Sequence, residues 1–254
     1  MVKNQTSKIE LKKLIPIVFS MATLWVAMSF TTRPSGGKLT VVFDHYVGDQ
    51  LLQLDTATYT NALGQPFTIT KFKYYIGNIR LRKAGGDVVA FDDYHLIDEE
   101  EAPSKKISLD IPAGEYNGID LIVGVDSLHN CSGAQSGALD PVNAMFWAWN
   151  TGYIFLKLEG KSPASSSPGH VFEYHIGGYK QPANCIRHVS LSFAQPFTME
   201  NAGSKELHLK ADAAEILKTP KAIDFSTLSS VTDFHNATTI ADNYMDMFSV
   251  LSVK

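Results

Sequence analysis

The sequence predicts an all-β fold, a β-sandwich of about nine or ten short strands with long loops and a short C-terminal helix. Three observations point there. Apolar and polar residues alternate in run after run between Lys38 and Ala211. Gly, Pro, Asn and Asp cluster between those runs, where turns need them. Only the tail differs, with Ile240, Tyr244, Met247, Phe248 and Leu251 recurring at the three- and four-residue spacing of an amphipathic helix.

Taken in order, the first strand sets Leu39, Val41, Phe43, His45 and Val47 on one face. His45 therefore lies among apolar neighbours. Asn61 to Pro66 is turn material, and Phe67 to Leu81 reads as one long strand or two shorter ones. Ala84-Gly85-Gly86-Asp87 suits a hairpin turn. A short strand, Tyr94 to Ile97, leads into the acidic run Asp98 to Glu101, expected as a solvated loop. Strands at Lys106–Ile111 and Ile119–Val125 flank the turn Pro112 to Glu115.

A long loop from Asp126 to Tyr153 carries Trp147 and Trp149 beside Gly, Asp, Asn and Pro. Such a loop is expected to pack against a sheet. Strands follow at Ile154–Glu159, Val171–Ile176, Val189–Phe193 and Lys205–Ala211, with Ser162 to Gly169 as a surface loop. On Val171–Ile176, His175 shares a face with Val171 and Glu173, while Phe172 and Tyr174 point the other way. No repeat or linker divides the chain, so residues 38–254 are expected to form a single domain.

Lys3, Lys8, Lys12 and Lys13 precede a mostly apolar run from Leu14 to Phe30. That order suits an export signal over residues 1–30, which would leave the protein periplasmic or secreted and at the membrane only through the signal. The run approaches spanning length, so an uncleaved anchor is the alternative. In an oxidising compartment Cys131 and Cys185 are expected to form a disulfide, stabilising by about 4 kcal/mol. A copper-thiolate pair is the rival reading, without a CxxC spacing to support it. The net charge of −4 supplies no basic footprint, so nucleic acid is not an expected partner.

The chain has no phosphate-cradling glycine loop, nucleophile elbow or HExxH helix, and is not expected to be an enzyme. His45 and His175 are the candidate metal ligands. Each sits in a strand interior near a glycine, Gly48 or Gly177, and imidazole suits copper or zinc. His170 would face the opposite side if its strand continued, which makes it the poorer candidate. The other reading is an extracellular binding or interaction sandwich with structural histidines and no metal. There the aromatics Trp147, Trp149, Tyr153 and Tyr179 would grip a ligand.

Several ordered motifs add a resemblance. They are Phe43-Asp44-His45-Tyr46-Val47-Gly48, Phe72 to Leu81, Gly137 to Pro141, Met145 to Tyr153, and Glu173-Tyr174-His175-Ile176-Gly177-Gly178. The chain resembles MbnP-like proteins over residues 38–200 and, more loosely, at Ile240 to Tyr244. These are exported copper-binding proteins of bacteria, associated with methanobactin and related to the copper-responsive surface proteins of methanotrophs. The resemblance implies a β protein that holds copper through two histidines, at His45 and His175, and an oxidised tryptophan, at Trp147 or Trp149. It further implies that the tryptophan becomes kynurenine through a di-haem peroxidase-like partner. The chain departs from the surface-protein branch, in which a histidine lies close to the modified tryptophan: none occurs between Met145 and Tyr153.

Overall fold

The computed structural model describes Met1 and residues 36–147, 152–234 and 236–254. The chain divides into Met1–Arg33 and Pro34–Lys254, and the expected export signal falls in the first unit, outside the described residues apart from Met1. Trp149 also lies outside them.

The second unit is built of strands. The first of its two sheets draws on β1 (Gly36–Val47), β2 (Gln50–Leu51), β7 (Lys106–Pro112), β12 (Ser204–Asp212) and β14 (Phe248–Val253). Its order is β14-β12-β1-β2, with β7 also against β1. The larger sheet holds β4 (Pro66–Lys83), β8 (Gly114–Val123), β9 (Ile154–Lys161), β10 (Val171–Gly177), β11 (Arg187–Met199) and β13 (Ser230–Val231). They run in the order β11-β8-β4-β9-β10-β13. Three short strands, β3 (Tyr59–Thr60), β5 (Val88–Phe91) and β6 (His95–Asp98), pair with β4 as well. Among the described residues the α-helices are α1 (Ser127–Cys131) and α2 (Ala237–Tyr244), both short.

β4 is the spine. Its 18 residues alternate between a face lined by Phe67, Ile69, Phe72 and Tyr74 and an opposite face carrying Lys71 and Lys73. The first face meets Leu39, Val41 and Phe43 of β1 and Leu207 and Leu209 of β12 in a common core. Phe43 stands edge-on to Tyr74 at 6.2 Å, and each such fully buried ring contributes about 1.5–3 kcal/mol.

Two local expectations are corrected. The helical spacing of the tail holds only through Tyr244, after which Phe248–Val253 forms β14 and pairs antiparallel with β12. The edge of β12 offers unpaired backbone groups, and Phe248 gains ring contacts with Phe43 at 6.1 Å and Tyr74 at 5.7 Å. The acidic run is not wholly a solvated loop. Asp98 ends β6 buried, in an ion pair with Lys73 at 2.7 Å, and Glu99 turns inward. Only Glu100 and Glu101 stay exposed.

Candidate functional site

The long loop after β8 is held by its own small polar residues. Asp126 caps α1 by accepting from the His129 amide at 2.9 Å, and Asn130 Oδ1 accepts from the Tyr153 amide at 2.9 Å. Tyr75 on β4 donates to the Ala138 carbonyl and Tyr153 to the Leu139 carbonyl, at 2.9 and 2.7 Å, which pins the loop to the sheet. Ile154 then donates to the Met145 carbonyl and Trp147 to the Gly152 carbonyl. Residues 145–147 thereby lie antiparallel to residues 152–154, and Trp147 is buried.

Trp147 lands on β10. A Cβ at Gly177 would meet its Cζ3 at 2.7 Å and the Tyr153 carbonyl at 2.4 Å, so only glycine leaves room for the indole. Gly178 is as tightly held, at φ +121° with the Ala183 carbonyl where a Cβ would stand. The Gly-Gly pair thus joins the tryptophan motif to the histidine motif. Phe234 stands edge-on to Trp147 at 5.8 Å and lines an open cleft of about 280 Å³ with Tyr179, Lys180 and Pro182.

His175 lies two positions before Gly177, where β10 pairs with β9 and β9 with β4. The register aligns His175 with Lys157 and Lys157 with Lys73, which places all three on one face. That face is the outer one, since Phe72 and Tyr74 on either side of Lys73 point into the core. His175 Nε2 is 2.8 Å from Glu159 Oε1, and this hydrogen bond holds the Glu159 carboxyl below its usual range. Nδ1 makes no hydrogen bond within the described residues. Burial pushes the Lys157 ammonium down, and its Nζ donates to the Ala144 carbonyl of the loop at 2.8 Å.

His45 occupies a different environment. It projects from β1 into the core, 4 % exposed, with its ring 4.8 Å from that of Phe72. Nδ1 lies 2.7 Å from Glu99 Oε2 and Nε2 lies 2.9 Å from the Tyr74 hydroxyl. Burial holds His45 below its ordinary value, so the ring is neutral: Nδ1–H donates to Glu99, and Nε2 accepts from Tyr74. Burial also raises Glu99, but its hydrogen bonds from His45 and Lys105 outweigh that and hold it low. Lys105 closes the chain at 2.7 Å.

The fold therefore brings Trp147 beside the His175 strand and leaves His45 on the other side of the large sheet. Among the described residues no group of three or more His, Cys, Asp or Glu side chains is arranged to hold a metal ion. The expected disulfide is not formed. Cys131 is exposed, with Sγ 3.4 Å from the Tyr179 hydroxyl, and Cys185 is buried against the Ala183 carbonyl. Burial pushes the Cys185 thiol up to about 12. His170 ends a 3-10 turn rather than continuing β10, and its Nδ1 lies 3.1 Å from the Ser165 carbonyl. Glu99, Tyr74 and Glu159 were not candidates on sequence grounds. The sequence does carry one signal: His45 shares its face with Leu39, Val41 and Phe43, and His175 shares its face with Glu173, which sets them in unlike surroundings.

The MbnP family model matches residues 36–236. A solved structure, MbnP from Methylosinus trichosporium, superposes with a TM-score of 0.52 at 17 % identity, covering 75 % of this chain and 80 % of that one. At that identity the likeness shows the fold. No curated protein matches the chain.

Proposed function

The chain belongs to the MbnP family, and on that premise we propose an exported copper-handling protein whose metal centre is built around His175 on the outer face of the large sheet. The observation that carries the reading is the seating of Trp147 on Gly177, two positions from His175. Two motifs distant in sequence meet there. Copper takes imidazole nitrogen readily, and His175 Nδ1 has its lone pair or proton uncommitted within the described residues. Glu159, bonded to Nε2, fixes the ring as outer partners of ligating histidines do.

Tryptophan as it stands offers one N–H donor and no ligand lone pair. Oxidation to kynurenine would supply an amine and a carbonyl, which is how Trp147 or Trp149 would join the donor set. A di-haem peroxidase-like partner would perform that oxidation. His45 does not fit the same centre as folded, because its lone pair accepts from Tyr74 inside the core. The residues thus fit a centre with one of the two expected histidines. Export by the signal over residues 1–30 belongs to the same proposal.

The test is metal analysis with intact mass on protein purified from its own host. Near one copper per chain, an N-terminus beyond residue 30 and a mass offset mapped to Trp147 or Trp149 are expected. Copper without the offset would remove the kynurenine. Absence of both would favour instead a binding module using the cleft beside Phe234.

A further inference from the structure

The hydroxyls of the buried and half-buried tyrosines meet three kinds of partner among the described residues. Tyr59, Tyr75, Tyr116, Tyr153, Tyr174 and Tyr244 each donate the hydroxyl proton to a backbone carbonyl. A carbonyl satisfies the hydrogen bond but is too weak a base to take the proton. Tyr94 faces the Asp126 carboxylate at 2.8 Å, which its hydrogen bonds from His129 and Tyr94 keep below the usual range despite burial. Tyr74 alone, among the described tyrosines, donates to an imidazole nitrogen.

That difference matters for electron transfer. Removing an electron from a phenol makes its O–H strongly acidic, so oxidation at neutral pH is accessible only where a base stands ready to receive the proton. The neutral ring of His45 is such a base, 2.9 Å away. Its far nitrogen is already bonded to Glu99 at 2.7 Å, and Lys105 holds Glu99 at 2.7 Å. The carboxylate stabilises an imidazolium as soon as one forms, by a charge-assisted hydrogen bond. Tyr74 is fully buried, and the rings touching it are those of Phe43, Phe72, Phe248 and His45. Phenylalanine is harder to oxidise than phenol, so these neighbours insulate rather than compete. If the hydroxyl needed only a partner, a carbonyl would serve, as it does for Tyr59, Tyr75, Tyr116, Tyr153, Tyr174 and Tyr244.

We propose that Tyr74, His45 and Glu99 form a proton-coupled redox site, at which Tyr74 is reversibly oxidised by a high-potential one-electron oxidant acting from the protein surface. In the step, the Tyr74 ring gives one electron to the oxidant, which is reduced. The Tyr74 O–H bond breaks and a new N–H bond forms at His45 Nε2. A neutral phenoxyl radical and an imidazolium paired with Glu99 result. Return of one electron reverses both transfers. The site stands apart from His175 and Trp147, on the other side of the large sheet, and does not depend on the copper reading.

The experiment uses the purified protein, with tris(bipyridine)ruthenium(III) generated by a laser flash as the oxidant. A long-lived neutral tyrosyl radical is expected by electron paramagnetic resonance. In protein grown with 15N-histidine, electron-nuclear double resonance should resolve a coupling from the radical to one imidazole nitrogen. This readout needs no substitution and is immune to misfolding of a variant. Tyr74→Phe should remove the coupled radical, and Glu99→Gln should slow its formation by about tenfold, the weight of one charge-assisted hydrogen bond. A radical without histidine coupling, the same signal in Tyr74→Phe, or no radical under flashes that oxidise free tyrosine would overturn the proposal.

Discussion

His45 and His175 are both strand-interior histidines, each hydrogen-bonded to one glutamate, yet they are physically unlike. His45 is inside the sandwich with both ring nitrogens engaged. His175 stands on the outer face with one nitrogen bonded to Glu159 and its side chain 18 % exposed. The first is part of what keeps the two sheets in register. The second can be altered at little cost to the fold, which is what a ligand position requires. Residue type does not separate the two; the face of the strand each one shares with its neighbours does.

The largest effect that can break this contrast is on stability. His45→Ala removes an acceptor from the buried Tyr74 hydroxyl and a donor from Glu99, and leaves a cavity beside Phe72. A loss on the order of 3 kcal/mol is expected in urea unfolding. His175→Ala removes a partly exposed pair and should cost no more than about 1 kcal/mol. Equal losses would erase the distinction between interior and outer histidine.

Gly177→Ala comes next. Its methyl would collide with the Trp147 ring and the Tyr153 carbonyl, and such overpacking costs roughly 1–3 kcal/mol. Tryptophan fluorescence should shift as the indole is displaced. An unchanged spectrum would place Trp147 elsewhere in solution.

Acid sharpens the comparison on the His45 side. Burial depresses His45 in the folded state, with Lys105 acting in the same direction and Glu99 and Asp44 opposing. Below an ordinary value of about 6.5 the unfolded chain binds a proton that the folded chain does not. The contribution of His45 is therefore complete above that pH and is lost as pH falls toward the folded value. Glu99 is also depressed, so its contribution goes in the same direction below about 4.5. Melting temperature should decline from pH 7 downward, and His45→Gln should flatten the upper part of that decline. A variant with an unchanged slope would assign the titration elsewhere.

The smallest effect concerns the cysteines. Cys131→Ser should change stability by no more than about 0.5 kcal/mol, because an exposed free thiol contributes little. In the native protein a thiol reagent should modify Cys131 rapidly and Cys185 only on unfolding. Two unreactive sulfurs released together by reductant would restore the disulfide.

Much of this architecture is legible in the sequence. Alternation alone puts Leu39, Val41 and Phe43 on one face of β1 and separates His175 from Phe172 and Tyr174. The tail misleads because Ile240 to Tyr244 is helical while Phe248 follows the same spacing for another reason, its packing on Phe43 and Tyr74. The acidic run misleads because charge suggests solvent, whereas Lys73 and His45 draw Asp98 and Glu99 in from strands that pair only in three dimensions. The cysteine expectation fails for a similar reason. An oxidising compartment, were the chain exported, would argue for a bridge, but only the fold decides whether two sulfurs can approach. Likewise no local pattern tells that Trp147 needs the bare backbone of Gly177.

Whether copper is held by the outer histidine is decided by copper retention in His175→Ala set against His45→Gln, with both variants purified from the native host and assayed for metal per folded chain. Loss of copper in His175→Ala and near-native copper in His45→Gln are expected. Copper retained without His175, or lost through His45 in a protein that still unfolds cooperatively, would contradict it.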